Sequence, residues 1–233
     1  MLCSIKQMQG NKLEATDGEI GNVKDFYFDD QSWAVRYVVA ETGTWLTSRQ
    51  VLLSPHAFSG FRPFAKTMPV DLTRQQIEGS PPIEWHKPVS RQFEEEYHRY
   101  YGWPGYWEGD GMRNFPILES TRKSPDTAGA AITKKHKGAD AHLRSTQAVR
   151  GYHLQASDGI TGYICDFMMD EKSWVIGELV IKTGHRFSGN EVLIPVGRVS
   201  RISYEESTVF VNMTKEAVER CPAQQLALDG AFN

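Results

Sequence analysis

Short apolar runs separated by polar breaks dominate this chain. The runs WAVRYVVA (33–40) and WVIGELVI (174–181) are rich in β-branched and aromatic residues, as central strands are. Each follows a polar quartet, Asp29-Asp30-Gln31-Ser32 or Asp170-Glu171-Lys172-Ser173, whose position between apolar runs predicts a hairpin turn. Shorter strands are predicted at QVLLS (50–54) and EVLIP (191–195), and a closing hairpin at Arg201–Tyr204 and Thr208–Met213 around Glu205-Glu206-Ser207. The segments LTRQQIEGSPP and MTKEAVERCP each predict a helix of one to two turns, capped by Thr73 or Thr214 and stopped by proline. Several short strands at regular spacing with a terminal helical turn predict a small closed β-barrel.

The pattern occurs twice. ATDGEIGNVKDFYFDDQSW (15–33) returns as ASDGITGYICDFMMDEKSW (156–174), an offset of 158 − 17 = 141. Aligned without a gap, Gly10–Pro81 and Gly151–Pro222 share 22 identities in 72 pairs, which predicts an internally duplicated domain. The shared signature is Asp17, Gly18, Gly21, Asp25 and Trp33 against Asp158, Gly159, Gly162, Asp166 and Trp174. Asp17-Gly18 and Asp158-Gly159 read as tight turns, and Gly21 and Gly162, inside the next strand, as bulges or close backbone approaches.

The acids of the first copy invite a metal reading that their spacing refuses. An EF-hand loop counted from Asp17 would need a carboxylate at its fifth position, Gly at its sixth and Glu at its twelfth, where the chain has Gly21, Asn22 and Phe28. Glu19 becomes Ile160 and Lys24 becomes Cys165 in the second copy, so the acids do not recur as a set. Asp17, Asp29, Asp158 and Asp170 are therefore read as turn and strand-end residues, and no metal, cofactor or catalytic residue is assigned. Asp25 and Asp166 sit mid-strand beside an aromatic, where a carboxylate must find donors or shift its pKa. The plain expectation is that they accept backbone N–H groups at a bulge; the sharper alternative is a proton relay.

Between the copies the chain changes character. SRQFEEEYHRYYGWP predicts a helix with Ser90 as N-cap, Glu94, Glu95 and Glu96 near its positive end, and an aromatic face of Phe93, Tyr97 and Tyr101. With Trp103, Tyr106 and Trp107 these residues form a candidate interaction surface or a lid over the barrels. The domains read as 1–82 and 142–223, joined by 83–141, with the aromatic helix or lid in 83–112 and a flexible, apolar-poor stretch in 119–140, followed by a tail at 224–233.

Charge and composition narrow the function classes. The net charge is −3 and evenly spread, so the concentrated positive field that nucleic acid requires is missing. Three scattered cysteines make no disulfide framework, the beginning of the chain shows no export signal, and no apolar run is long enough to span a membrane, so the expected setting is the cytoplasm. No GxSxG, HExxH, P-loop or GxGxxG motif is present, and the seven histidines show no ligand spacing and are for the most part read as surface residues.

The pattern DG.IG.V.DF..DD..W.VRY.V..T followed by VLLSP resembles the PRC-barrel family, over residues 2–81 and about 142–222. The resemblance implies a mainly β chain of two PRC-type barrels. In that family the barrel serves as a docking module or as an electrostatic partner of a membrane complex, as in the H subunit of the photosynthetic reaction centre. The resemblance assigns no catalytic residue. The expected function is a non-enzymatic protein–protein interaction module, with another protein as partner and a homodimer as assembly. The alternatives are a peripheral accessory of a membrane electron-transfer complex that tunes charge or proton delivery, and a small-ligand sensor.

Overall fold

The computed structural model describes residues 1–43, 49–59, 66–81, 91–103, 142–184 and 189–223. Two β-sheets dominate it. In the first half, β1 (Leu2–Ser4) runs into the short helix α1 (Ile5–Met8), followed by β2 (Lys12–Ala15), β3 (Gly18–Asp29), β4 (Val35–Thr42), β5 (Arg49–Leu53), β6 (Thr67–Pro69) and helix α2 (Arg74–Glu78). Helix α3 (Arg91–Tyr101) follows, with the side chains of 91–93 outside the described residues. The second half repeats the pattern as β7 (Leu143–Ser145), α4 (Thr146–Val149), β8 (His153–Ala156), β9 (Gly159–Asp170), β10 (Ile176–Thr183), β11 (Glu191–Pro195), β12 (Val199–Ser203), β13 (Thr208–Val211) and α5 (Lys215–Glu219).

The registers repeat as well. Leu13 faces Gly21 as Leu154 faces Gly162, and β2 runs parallel to β6 with Lys12 opposite Thr67, as β8 runs parallel to β13 with His153 opposite Thr208. Both long strands carry a register shift just before their mid-strand aspartate, between Val23 and Asp25 and between Ile164 and Asp166. The predicted helical turns are present, with Thr73 in a full capping box with Gln76 and Thr214 accepting from the Ala217 N–H. Pairings among the described residues give the strand orders β5-β4-β3-β2-β6 and β11-β10-β9-β8-β13-β12, each an open sheet.

The sheets do not keep to their own repeats. β1 of the first half pairs with β9 of the second, Leu2 opposite Asp170 and Ser4 opposite Met168. β7 of the second half pairs with β3 of the first, Leu143 opposite Asp29 and Ser145 opposite Tyr27. Every partner in one pairing maps onto the other through the offset of 141, so the exchange is reciprocal. The hairpins after β3 and β9 also meet: the Val35 N–H donates to the Trp174 carbonyl and the Ile176 N–H to the Trp33 carbonyl. One apolar core results, in which Phe28 lies 5.6 Å from Phe167 and stacks on Trp33 at 5.4 Å, and Phe58 packs on Trp174 at 5.2 Å.

Candidate functional site

The mid-strand aspartates are the anchor points of the exchanged arms. Asp25 Oδ1 accepts the Phe26 N–H at 2.8 Å, the expected local bond at the bulge. The other donors come from the opposite repeat: the hydroxyls of Ser145 and Thr146 and the Gln147 N–H. Asp166 repeats the arrangement, accepting from the Phe167 N–H, the Ser4 hydroxyl and the Lys6 N–H. Ser4 and Ser145 are N-caps, so each hydroxyl accepts a helix N–H, from Gln7 or Ala148 at 3.0 Å, while donating to the carboxylate. Carboxylate and serine together satisfy two of the amides that a helix N-terminus leaves without partners. Burial pushes the Asp25 pKa up, and its four donors pull against that rise without cancelling it.

The remaining signature residues serve the frame. Asp17 and Asp158 accept the first N–H of α2 and α5, from Arg74 at 2.7 Å and Lys215 at 2.8 Å. Asp29 and Asp170 bind Ser32 and Ser173 by both backbone and side chain, which closes the hairpin turns. Asp29 is buried enough to oppose ionisation, but the Ser32 donors, Arg36 and the Gln31 N–H outweigh that and hold it below the usual carboxylate range. Asp170 is held at about 2: desolvation opposes ionisation, and the Ser173 donors with the amino terminus of Met1 prevail. A Cβ on Gly21 would stand 2.0 Å from the Glu41 carbonyl, and one on Gly162 2.4 Å from that of Lys182, which is the close approach the sequence predicts. Trp33 and Trp174 follow the turns with φ of 60° and 55°, held there by the reciprocal hairpin contact.

Helix α3 supplies a second constellation, on the first half. Tyr97 is fully buried against Tyr37, Val39 and Leu52 on the face of β4 and β5, with Tyr101 and Trp103 packed at the margin and stacked on each other at 4.1 Å. The Tyr97 hydroxyl accepts the Leu52 N–H at 2.8 Å and meets the Ser80 hydroxyl at 3.1 Å. One turn away the Tyr37 hydroxyl donates to Glu94 Oε1 and contacts His98 Nε2, both at 3.0 Å. Of the candidate surface residues, Tyr97, Tyr101 and Trp103 thus lie together beneath or beside the helix. The Phe93 side chain, Tyr106 and Trp107 lie outside the described residues, as does the predicted cap Ser90.

Two features escaped sequence reasoning. His98, one of seven histidines of which most are read as surface residues, is buried together with Glu94, because Tyr37 offers both a polar partner. The arms escaped because strands of three residues, Leu2–Ser4 and Leu143–Ser145, are too short to show a period. Extending the same offset upstream pairs Leu2 with Leu143 and Ser4 with Ser145, the one local sign of the anchors. Among the described residues no helix is long and apolar enough to cross a membrane.

With this geometry in place, comparison with known families gives one result: residues 155–218, from within strand β8 to within helix α5, match the PRC-barrel domain. The second half of the chain therefore carries a PRC-barrel domain, the family its signature resembles. No curated protein matches the chain.

Proposed function

We propose that the chain is a non-enzymatic interaction module built of two PRC-type barrels that arose by duplication and are fused by exchange of their leading strands. The carrying observation is the fate of Asp25 and Asp166. These mid-strand carboxylates, the best placed candidates for proton chemistry, spend their oxygens on holding the opposite repeat's arm. The duplication is supported by registers that repeat at one offset, and barrel closure by the turn of 3₁₀ helix after β5 and β11, together with the Phe58–Val70 bridge that matches the Val199–Val211 pairing. A reducing cytoplasmic setting agrees with Cys3, Cys165 and Cys221 being free thiols. Its partner is another protein, and a homodimer belongs to the same proposal.

Affinity capture from the native cell, followed by reconstitution from purified components, tests this. The expected result is a stoichiometric protein partner. A chain that holds no protein and instead binds or turns over a small molecule contradicts it.

A further inference from the structure

Both arms carry the same serine-to-aspartate anchor, so the anchor does not say which arm belongs in which groove, or whether the groove is in the same half, the other half or a second chain. The residue after each hairpin aspartate does distinguish the arms. Asp30 and Glu171 correspond, since 30 + 141 = 171, and each donates its N–H to the carbonyl just ahead of the facing arm, that of His142 or Met1. Their side chains meet different groups. Asp30, 12% exposed, accepts from Arg144 Nε at 2.6 Å and contacts His142 Nδ1 at 2.9 Å. Glu171 meets the Met1 amine at 3.4 Å and, at 4.0 Å, the thiol of Cys3, which is the counterpart of Arg144.

We propose that Asp30 and Arg144 select the arm: the first half's groove takes an arm that brings arginine, so a first half pairs with a second half and not with the first half of another copy of the chain. With the first arm in that groove, Cys3 would stand where Arg144 meets Asp30, and Ile5 where Thr146 meets Asp25. Two carboxylates with little access to water would each lose a donor, one of them a cation, which sets a penalty against the wrong arm. The second half's groove makes no such demand, because the second arm placed there brings Arg144 to Glu171. Selection is therefore one-sided and excludes pairs of first halves. Arg144 is oriented for it within its own half, its guanidinium 4.8 Å from the centre of the Tyr204 ring. The selection holds whatever the partner protein is, and so does not rest on the interaction-module reading.

The test uses the full chain with a protease site placed in the 119–140 stretch. The folded protein is cut, unfolded in urea with both pieces present and refolded, and native mass spectrometry then weighs the pairs, telling like from unlike. Wild type is expected to return unlike pairs. Cys3→Arg gives the first arm the arginine that Asp30 requires while still offering Glu171 a cation, so the ratio of first-half like pairs to unlike pairs is expected to rise at least about tenfold. Asp30→Asn, which removes the demand from the groove, is expected to raise it too, and Cys3→Ser, the control, to leave it unchanged. Where the cut protein does not refold, the uncut chain decides: first halves then pair only between chains, so Cys3→Arg and Asp30→Asn are expected to raise the dimer formed on refolding at high concentration. First-half like pairs at the random share in wild type, or ratios and dimer levels equal in wild type, Cys3→Arg and Asp30→Asn, overturn the selection. The interaction-module reading falls separately, only if native capture returns no protein.

Discussion

Ser145, the cap of α4, donates its hydroxyl to Asp25 in the other half of the chain, 120 residues away. Ser4 does the same for Asp166 across 162 residues, so each half carries the anchor for the other half's arm. A barrel of this size buries a modest share of its unfolded surface and is marginal alone. Exchange adds the buried Ile5, Met8, Thr146 and Val149 to the joint and makes the two halves one body.

The two anchors are unequal, and this sets their mutational ranking. Asp25 receives a second hydroxyl from Thr146, where the first repeat has Ile5. An amide keeps one acceptor oxygen and leaves hydroxyl donors stranded in a buried site. Asp166→Asn is expected to cost about 2–3 kcal/mol and Asp25→Asn about 1 kcal/mol more, read by urea unfolding. Equal or negligible losses would count against the anchor role.

Asp29 makes a prediction in pH. Its folded pKa lies below the unfolded value, so the unfolded chain binds more protons between the two. Its contribution is therefore complete above about pH 4 and is lost as pH falls through the folded value. Asp29→Asn is expected to be less stable than wild type at neutral pH, with a gap that shrinks below about pH 4. A gap constant from pH 7 to 2 would show that the carboxylate's charge is irrelevant to the turn.

The polar contacts under α3 differ in burial, and the difference is measurable. Tyr37→Phe takes from buried Glu94 and His98 a hydroxyl they share, an expected loss of about 1–3 kcal/mol. Tyr100→Phe removes an exposed hydroxyl bound to the Gln76 carbonyl and is expected to cost less than about 1 kcal/mol. Thermal unfolding of the two variants compares them directly.

Glycine positions separate close approach from backbone freedom. Gly21→Ala drives a Cβ into the Glu41 carbonyl and is expected to cost more than about 3 kcal/mol, through loss of the β3–β4 register. Gly10 has φ of +83° with nothing near a Cβ, so Gly10→Ala is expected to cost about 1–2 kcal/mol. Denaturation midpoints of both variants check the order.

How far the sequence could be read follows from the range of each interaction. Turns at Asp17-Gly18, caps at Thr73 and Thr214 and central strands rest on neighbouring residues, and the structure has the turns and caps where the pattern places them, while the strand predicted at 33–40 runs from Val35 to Thr42 because Trp33 takes the left-handed conformation that ends the turn. At Gly21 the sequence offered a bulge or a close backbone approach, because glycine alone tolerates the latter, and the structure has the close approach to the Glu41 carbonyl. The arms were not: a strand of three residues has no period to read, and whether Ser145 meets Asp166 of its own half or Asp25 of the other is decided by tertiary packing. Buried Glu94 and His98 were hidden for a related reason, since their partner Tyr37 lies 57 and 61 residues away.

The reciprocal anchoring itself is tested most directly by native-state hydrogen exchange of the Lys6 and Gln147 amides, which donate to Asp166 and Asp25. Both are expected to exchange only with global unfolding, and Asp25→Asn is expected to release Gln147 while Lys6 stays protected. Rapid exchange of both amides in the wild type, with the remaining strands still protected, would show that the arms are loose ends and would contradict the fused architecture.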